Sequence, residues 1–209
     1  MFVFAAIAVA AAVVVRVEIL VAAHYRRSVE ALFAADAAVD AVVAELRALP
    51  DWTPVVGGAL RSAQSQGAFQ GSMAVPGGGA VLVCCGPGSA AGRLSTDTQL
   101  SPLPARRALQ WRPFLWAPFD ALAPRFPPSR LFVVVWVGND EDDRDGGEST
   151  DTNRTVIVRS EALEAGGNRR IVEALVGRQP ADGGLYSGGS ASKEESSMRV
   201  GILRWREVR

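Results

Sequence analysis

The chain has 209 residues, of which 22 are basic, 22 are acidic and 48% are hydrophobic. That length accommodates one globular domain of ordinary size and an additional segment. The zero net charge argues against a nucleic-acid-binding protein, since such proteins carry a basic excess. A charged fraction of 21% excludes a disordered chain. One histidine and two cysteines are too few for an ordinary zinc site or for a scaffold of several disulfides.

The first part of the chain is an apolar segment long enough to cross a bilayer. Residues 2–15 contain no charge, and the apolar stretch continues to Ala23, interrupted by Arg16 and Glu18. Eighteen or more apolar residues predict a transmembrane helix. The alternatives are a cleaved secretory signal and a buried core helix, and no basic region precedes the stretch as a signal would require.

The charges around this segment bear on its orientation. Arg16, Arg26 and Arg27 all lie toward its C-terminal end. Taken alone, they would place the rest of the chain in the cytoplasm, because basic residues favour the cytoplasmic side.

The helix is expected to continue through Leu49, since residues 24–49 contain no proline or glycine. Seven residues at alternating spacings of four and three predict one buried stripe. They are Tyr25, Val29, Leu32, Asp36, Val39, Val43 and Leu46. Asp36 interrupts the stripe, either as a solvated or capped polar residue at its edge or as an acid that contacts a partner in a helix bundle. Pro50 ends the helix, whose length would be roughly 70 Å at 1.5 Å per residue.

The middle of the chain, residues 50–130, predicts loops with short strands because it contains eleven of the twelve prolines. Ala80–Cys85 is the best strand candidate. Six aromatic residues are expected to anchor these loops on a core. They are Trp52, Trp111, Phe114, Trp116, Phe119 and Phe126.

The last part of the chain predicts an antiparallel sheet. Its strand candidates are Leu131–Val137, Thr155–Leu163, Arg170–Val176 and Met198–Trp205. Short links favour a meander, and Gly166-Gly167-Asn168 predicts a hairpin turn. Along the second candidate, Val156 and Val158 lie on one face and Arg159 and Glu161 on the other.

These elements predict an α+β fold in three segments. A helix covers residues 1–49, a loop region rich in proline and glycine covers 50–130, and a sheet-containing head covers 131–209. Within the head, Ala181–Ser197 is rich in glycine and serine and predicts a flexible loop.

The loop after the first strand of the head is strongly acidic, with seven acids between Asn139 and Asn153. Oxygen-rich loops of this kind bind Ca²⁺. The candidate ligands are Asp140, Asp142, Asp143 and Asp145. The EF-hand spacing is not met, and a solvated acidic loop is the alternative.

No pattern in the sequence predicts catalysis, a cofactor or a small-molecule substrate. Cys84 and Cys85 are neighbours, whose spacing disfavours an ordinary disulfide between them, so we expect two thiols at a buried strand end. Intermolecular oxidation and lipid attachment are the alternatives. The glycines at 86 and 88 loosely resemble a dinucleotide fingerprint, but no βαβ unit is predicted after them.

The segment from Tyr25 to Ala37 is similar to the N-terminal region of PilX-type pilus assembly proteins. In that family an apolar helix continues into an A-F/Y-x-A-E-A-G stretch. Here the stretch is Ala31–Ala37, with Asp36 in place of the usual glutamate and Ala38 in place of the usual glycine. Further similar pieces are Leu49–Trp52, Phe132–Val137 with the acidic loop after it, and Ile202–Arg209.

The resemblance implies a minor pilin or pseudopilin, held in the bacterial inner membrane with an extracytoplasmic head and built into a type IV pilus or a related filament. Its partners would be other pilins, bound through the N-terminal helix. No basic leader ending in glycine precedes Phe2, so we expect a late start site or a trimmed chain. Ala5 stands where major pilins carry glutamate, as in some pseudopilins at filament tips. The alternatives are a membrane-anchored extracytoplasmic binding domain outside any filament and, more distantly, a secreted hydrolase.

Overall fold

The computed structural model describes residues 2–102, 109–124, 129–143, 147, 149–180 and 198–208. The predicted loop Ala181–Ser197 and the predicted anchor Phe126 lie outside these residues. The helices are α1 (Phe2–Ala48), α2 (Thr53–Val56), α3 (Ala90–Gln99) and α4 (Phe119–Leu122). The strands are β1 (Ser72–Ala74), β2 (Ala80–Leu82), β3 (Arg112–Pro118), β4 (Leu131–Asn139), β5 (Thr155–Glu164), β6 (Arg169–Pro180) and β7 (Met198–Val208).

The main sheet is a five-stranded antiparallel meander in the order β3-β4-β5-β6-β7. All four strands predicted for the head are present, and the predicted α+β class is confirmed. The turn between β5 and β6 is the predicted one, closed by the Gly167 amide donating to the Glu164 carbonyl. Gly167 has a φ of 86°, which a residue without a side chain adopts at little cost.

The middle region contains helices and a sheet strand that were not predicted, namely α2, α3, α4 and β3. β3 contains Pro113 and Pro118, which argue against a central strand, but β3 lies at the sheet edge where a missing amide is tolerated. α3 is rich in residues of low helix propensity and is capped at its N-terminus by Ser89, whose hydroxyl accepts a hydrogen bond from the Gly92 amide. The predicted strand Ala80–Cys85 is shorter than expected, because β2 ends at Leu82.

Two layers cover the two faces of the sheet. The second half of α1 packs on one face, while the β1–β2 hairpin and α3 cover part of the other. β4 is buried along its whole length because its side chains alternate between the two cores. Val133 and Val135 belong to the α1 core, and Phe132 and Trp136 to the core beneath the hairpin. This explains why β4 reads as a continuous apolar run rather than an alternating one.

The buried face of α1 differs from the predicted stripe. Its fully buried hydrophobic residues are Ala31, Ala34, Ala35, Ala38, Val39, Val42 and Leu46. Tyr25 of the predicted stripe is 71% exposed, and Val29, Leu32 and Asp36 are half-buried. The stripe was therefore wrong in its first half, because alanines allow the helix to lie close to the sheet and larger apolar residues mark only the edge of the contact.

Tryptophan and arginine side chains secure the end of α1. The buried Trp52 donates from Nε1 to the Leu46 carbonyl at 2.9 Å, which gives this carbonyl of the last turn a second donor beside the Leu49 amide. Arg178 lies over the Trp52 ring, 5.1 Å from its centroid, and donates to the Pro50 carbonyl at 3.1 Å. Of the other predicted anchors, Phe114, Trp116 and Phe119 are buried and Trp111 is half-buried.

The buried alanines of α1, which we call the alanine face (Ala31, Ala34, Ala35 and Ala38), lead to a prediction about the stability of the folded chain. Ala38→Leu should lower the free energy of unfolding by about 1–3 kcal/mol, because Ala38 is fully buried and three extra carbons force the helix away from the sheet. Ala44→Leu is the matched control, since Ala44 is exposed on the same helix. Denaturant unfolding of the full chain in a mild detergent measures both, and an equal effect of the two variants would contradict the close packing.

Candidate functional site

The N-terminal half of α1 extends away from the head with its apolar side chains exposed. The helix contains an 18-residue window with a mean hydropathy of 2.4, and none of that window is buried. Even in the middle of the segment, Val14 is 55% exposed. The predicted alternative of a buried core helix is therefore wrong. An apolar helix of this length, exposed on all sides, fits a membrane anchor or a signal sequence.

Hydrogen bonds hold the helix where it enters the head. Ser28 is the first residue along α1 whose described side chain is buried. Its hydroxyl accepts a hydrogen bond from Arg170 Nε at 2.8 Å, and Arg170 also binds Glu207 at 3.0 Å. Two residues further along α1, Glu30 accepts a hydrogen bond from the Ser129 hydroxyl at 3.0 Å. Polar residues from three parts of the head therefore hold α1 at the boundary between its apolar half and its packed half.

Asp36, the acid within the predicted stripe, contacts the head of its own chain. Its Oδ1 accepts a hydrogen bond from Trp205 Nε1 at 2.8 Å. Neither sequence-based alternative anticipated this contact, because nothing in the spacing along α1 indicates that β7 lies beside it. The acid fixes the position of an exposed tryptophan along the seam between α1 and β7.

In the acidic loop, the described carboxylates bind neighbouring loop groups. Asp140 accepts from Asn153 Nδ2 at 2.8 Å and from the Asp142 amide at 3.2 Å. Asp143 accepts from the Thr152 amide at 2.8 Å.

Asp145, the fourth predicted calcium ligand, lies outside the described residues. Among the residues that the structure describes, no three acid, histidine or cysteine side chains are grouped as a metal ion would need. The calcium site formed by Asp140, Asp142, Asp143 and Asp145 stays a prediction.

Burial affects the titration of this loop. The pKa of Asp140 is raised mainly by burial, and the hydrogen bond from Asn153 only partly offsets that effect. The pKa of Asp151 is raised in the same way, against the hydrogen bonds it accepts from the amides of Arg154 and Thr155. Both carboxylates therefore hold protons more tightly in the folded chain than in an unfolded one.

The face of the sheet opposite α1 carries buried ion pairs. Arg159 and Glu161 lie on the predicted face of β5, but both are buried rather than solvated. Arg159 donates to Glu173 at 3.0 Å and to Asp97 of α3. Glu161 accepts from Arg93 of α3 at 2.9 Å. The pairs with Asp97 and Arg93 attach α3 to the sheet, and both of these partners come from a helix that was not predicted.

Cys84 and Cys85 form a disulfide with each other, so the expectation of two thiols at a buried strand end is wrong. The pair follows the end of β2 in a turn, where Cys85 has a φ of 72° and is exposed. The glycine-rich segment after it leads into α3. It does not form the dinucleotide-binding unit that it loosely resembles, since β2 pairs antiparallel with β1.

Comparisons of the chain with protein-family models, with curated proteins and with solved structures find no match. The architecture is nevertheless informative. A long N-terminal apolar helix, half exposed and half packed against an antiparallel sheet, is a pilin-like architecture. It agrees with the resemblance noted in the sequence at the level of the fold.

Asp140 allows a pH prediction. Because its pKa is raised on folding, the folded state binds the proton more tightly, and this group adds stability as the pH falls. The free energy of unfolding of the wild type, minus that of Asp140→Asn, should increase as the pH is lowered from about 7 to about 4. Denaturant titrations of the two chains at several pH values measure it. A difference that stays constant, or that falls with the pH, would contradict the burial effect.

Proposed function

We propose that this chain is a minor-pilin-like structural subunit, which primes or joins a type IV pilus or a related pseudopilus. The observation that carries the proposal is the continuity of α1. One uninterrupted helix joins an apolar half, which is exposed among the residues that the structure describes, to a half packed on a β-sheet head. A soluble monomer would leave the first half in water, at a cost of about 25 cal/mol for each Å² of apolar surface. Lipid shelters that surface before assembly, and a bundle of similar helices shelters it in a filament.

The mechanism that we propose is lateral packing of helices. Alanines are frequent in the apolar half, at positions 10–12 and again at 22 and 23. Small residues let neighbouring helices approach closely. Within a membrane, helices associate through such close packing, because lipid tails are as apolar as the helices and no hydrophobic effect drives them together. Arg16 and Glu18 are exposed near the head-side end of the apolar half, where long side chains reach the interface.

The role is one of assembly, and we propose no catalysis.

The disulfide supports an extracytoplasmic head. Disulfides persist in oxidising compartments such as the periplasm and are rare in the reducing cytosol. The exposed position of Cys85 would leave the bond open to cytosolic reductants. We therefore place the head outside the inner membrane, although Arg26 and Arg27 lie on the head side of the apolar segment.

Membrane anchoring is tested by placing a charge within the apolar half. Val14→Asp should move the chain from the carbonate-resistant membrane fraction to the soluble or aggregated fraction, because an acid near the middle of a span costs about 3 kcal/mol. Val14→Leu is the control and should remain in the membrane. The mass of the mature chain is measured in parallel, and a mature protein that begins after Ala23 would show a cleaved signal sequence instead of an anchor.

Filament assembly is tested by crosslinking. A chain with Cys84 and Cys85 replaced by serine and with Ala12→Cys should crosslink to other pilins in purified filaments, because Ala12 lies on the apolar half. Ala48→Cys, at the far end of the same helix, is the control for non-specific reaction. Loss of the gene should reduce surface pili. Unchanged piliation and secretion, with no crosslink from position 12, would contradict the proposal even if the helix is embedded in membrane.

A further inference from the structure

Arginines surround α1 at the point where it enters the head. Arg26 and Arg27 are exposed on the helix itself. Arg130 precedes β4, and Arg169 and Arg170 begin β6, so the fold brings three separate parts of the chain together. We refer to Arg26, Arg27, Arg130, Arg169 and Arg170 as the arginine collar.

Two clefts show how closely the collar surrounds the helix. One, of about 360 Å³, is lined by Arg26, Arg27, Glu30, Arg130, Leu131 and Glu164. The other joins Arg27 to the β5–β6 turn and also reaches His24. The head therefore extends along α1 to within one residue of Ala23, where the apolar segment ends. The collar and the apolar half of the helix form one continuous surface.

The collar is only partly neutralised by the acids near it. Glu207 pairs with Arg170 at 3.0 Å, and Glu161 lies 3.4 Å from Arg169. Asp120 accepts from the Ser129 amide at 2.7 Å, and Glu30 from the Ser129 hydroxyl, so both are used within the fold. Glu164 is the acid that lines both clefts.

The other three arginines of the collar have no acidic partner among the residues that the structure describes. The side chains of Arg26, Arg27 and Arg130 form no ion pair or hydrogen bond with any other residue in the described part of the chain. Arg130 packs against Gly77 in the β1–β2 turn. The contact is so close that a β-carbon at position 77 would lie 3.1 Å from Arg130 Nε. Its guanidinium is therefore positioned by the fold at the membrane end of the head.

We propose that the arginine collar binds the phosphate groups of anionic phospholipids in the leaflet nearest the head. This inference rests on the proposed function, because it requires α1 to cross a membrane. Arg26 lies three residues after Ala23, about 4.5 Å along the helix, which is the level of the headgroups. Tyr25, 71% exposed at the same level, is a residue type enriched at membrane interfaces. Guanidinium groups match phosphate oxygens in both charge and geometry.

Binding of lipid phosphate gives these arginines a role other than setting the orientation of the chain in the membrane. As topological signals they would place the head in the cytoplasm. As ligands of lipid phosphate they hold the head upright against the membrane and keep the subunit at the bilayer surface before assembly. The contribution of Arg130 separates this proposal from a simple juxtamembrane charge effect, since Arg130 is about 100 residues away along the chain and reaches the helix only through the fold.

The test measures lipid preference around the reconstituted full chain. The chain is placed in phosphatidylcholine vesicles with spin-labelled phosphatidylglycerol or spin-labelled phosphatidylcholine, and the motionally restricted fraction of each label gives their relative association. The wild type should prefer phosphatidylglycerol, and 1 M salt should weaken the preference. Each arginine near an anionic surface is worth about a fivefold change in affinity. Arg26→Gln with Arg27→Gln, and Arg130→Gln alone, should each move the preference toward one.

Matched controls remove the same charge elsewhere. Arg199 and Arg204 are exposed on β7, and Arg199 lies at the end of the head remote from the collar. Arg199→Gln with Arg204→Gln should leave the preference unchanged. A loss only in the Arg26 and Arg27 variant, with Arg130→Gln equal to wild type, would overturn the collar. So would a wild type that prefers neither lipid. A chain that fails to insert into phosphatidylcholine vesicles at all would instead contradict the proposed function.

Discussion

The structure depends on the contact between the alanine face of α1 and the antiparallel sheet. That contact buries one side of the second half of a 47-residue helix, whereas the first half packs against no other described part of the chain. Because the same backbone hydrogen bonds run through both halves, the direction of the apolar half is coupled to the position of the head. Ser28 marks the change, and the bond from Arg170 to its hydroxyl ties the helix to the sheet at that point.

The two faces of the sheet are stabilised by different interactions. The α1 side is apolar, with Val135 and Val158 packed beneath the helix alanines. The other side combines aromatic packing around Trp136 with ion pairs that reach α3, such as Arg93 with Glu161. A buried pair is costly when one partner is removed, so α3 is attached by charge complementarity as well as by its few apolar residues.

The sequence and the disulfide give conflicting indications of the side of a membrane on which the head would lie. Arg26 and Arg27 oppose an extracytoplasmic head when they are taken as topological signals, whereas the disulfide between Cys84 and Cys85 favours one. The fold places Arg130 and the start of β6 beside them, which turns two isolated charges into a collar around the helix. The proposed interaction with phosphate groups would reconcile a basic boundary with an extracytoplasmic head.

The sequence alone determined the long helix, its end before Pro50, the four strands of the head and their meander, because periodicity, turn residues and breakers are local signals. It correctly placed Val39, Val43 and Leu46 on the buried side of α1 but not the alanines between Ala31 and Ala38, since alanine carries little hydrophobic signal and only close approach to the sheet selects it. It missed β3, whose prolines are tolerated only at an edge, and α3, whose ion-pair partners Glu161 and Arg159 lie more than 60 residues away. The arginine collar, the contact of Asp36 with Trp205 and the disulfide in its turn likewise follow from tertiary placement. Residue spacing along a chain does not encode which distant segments meet.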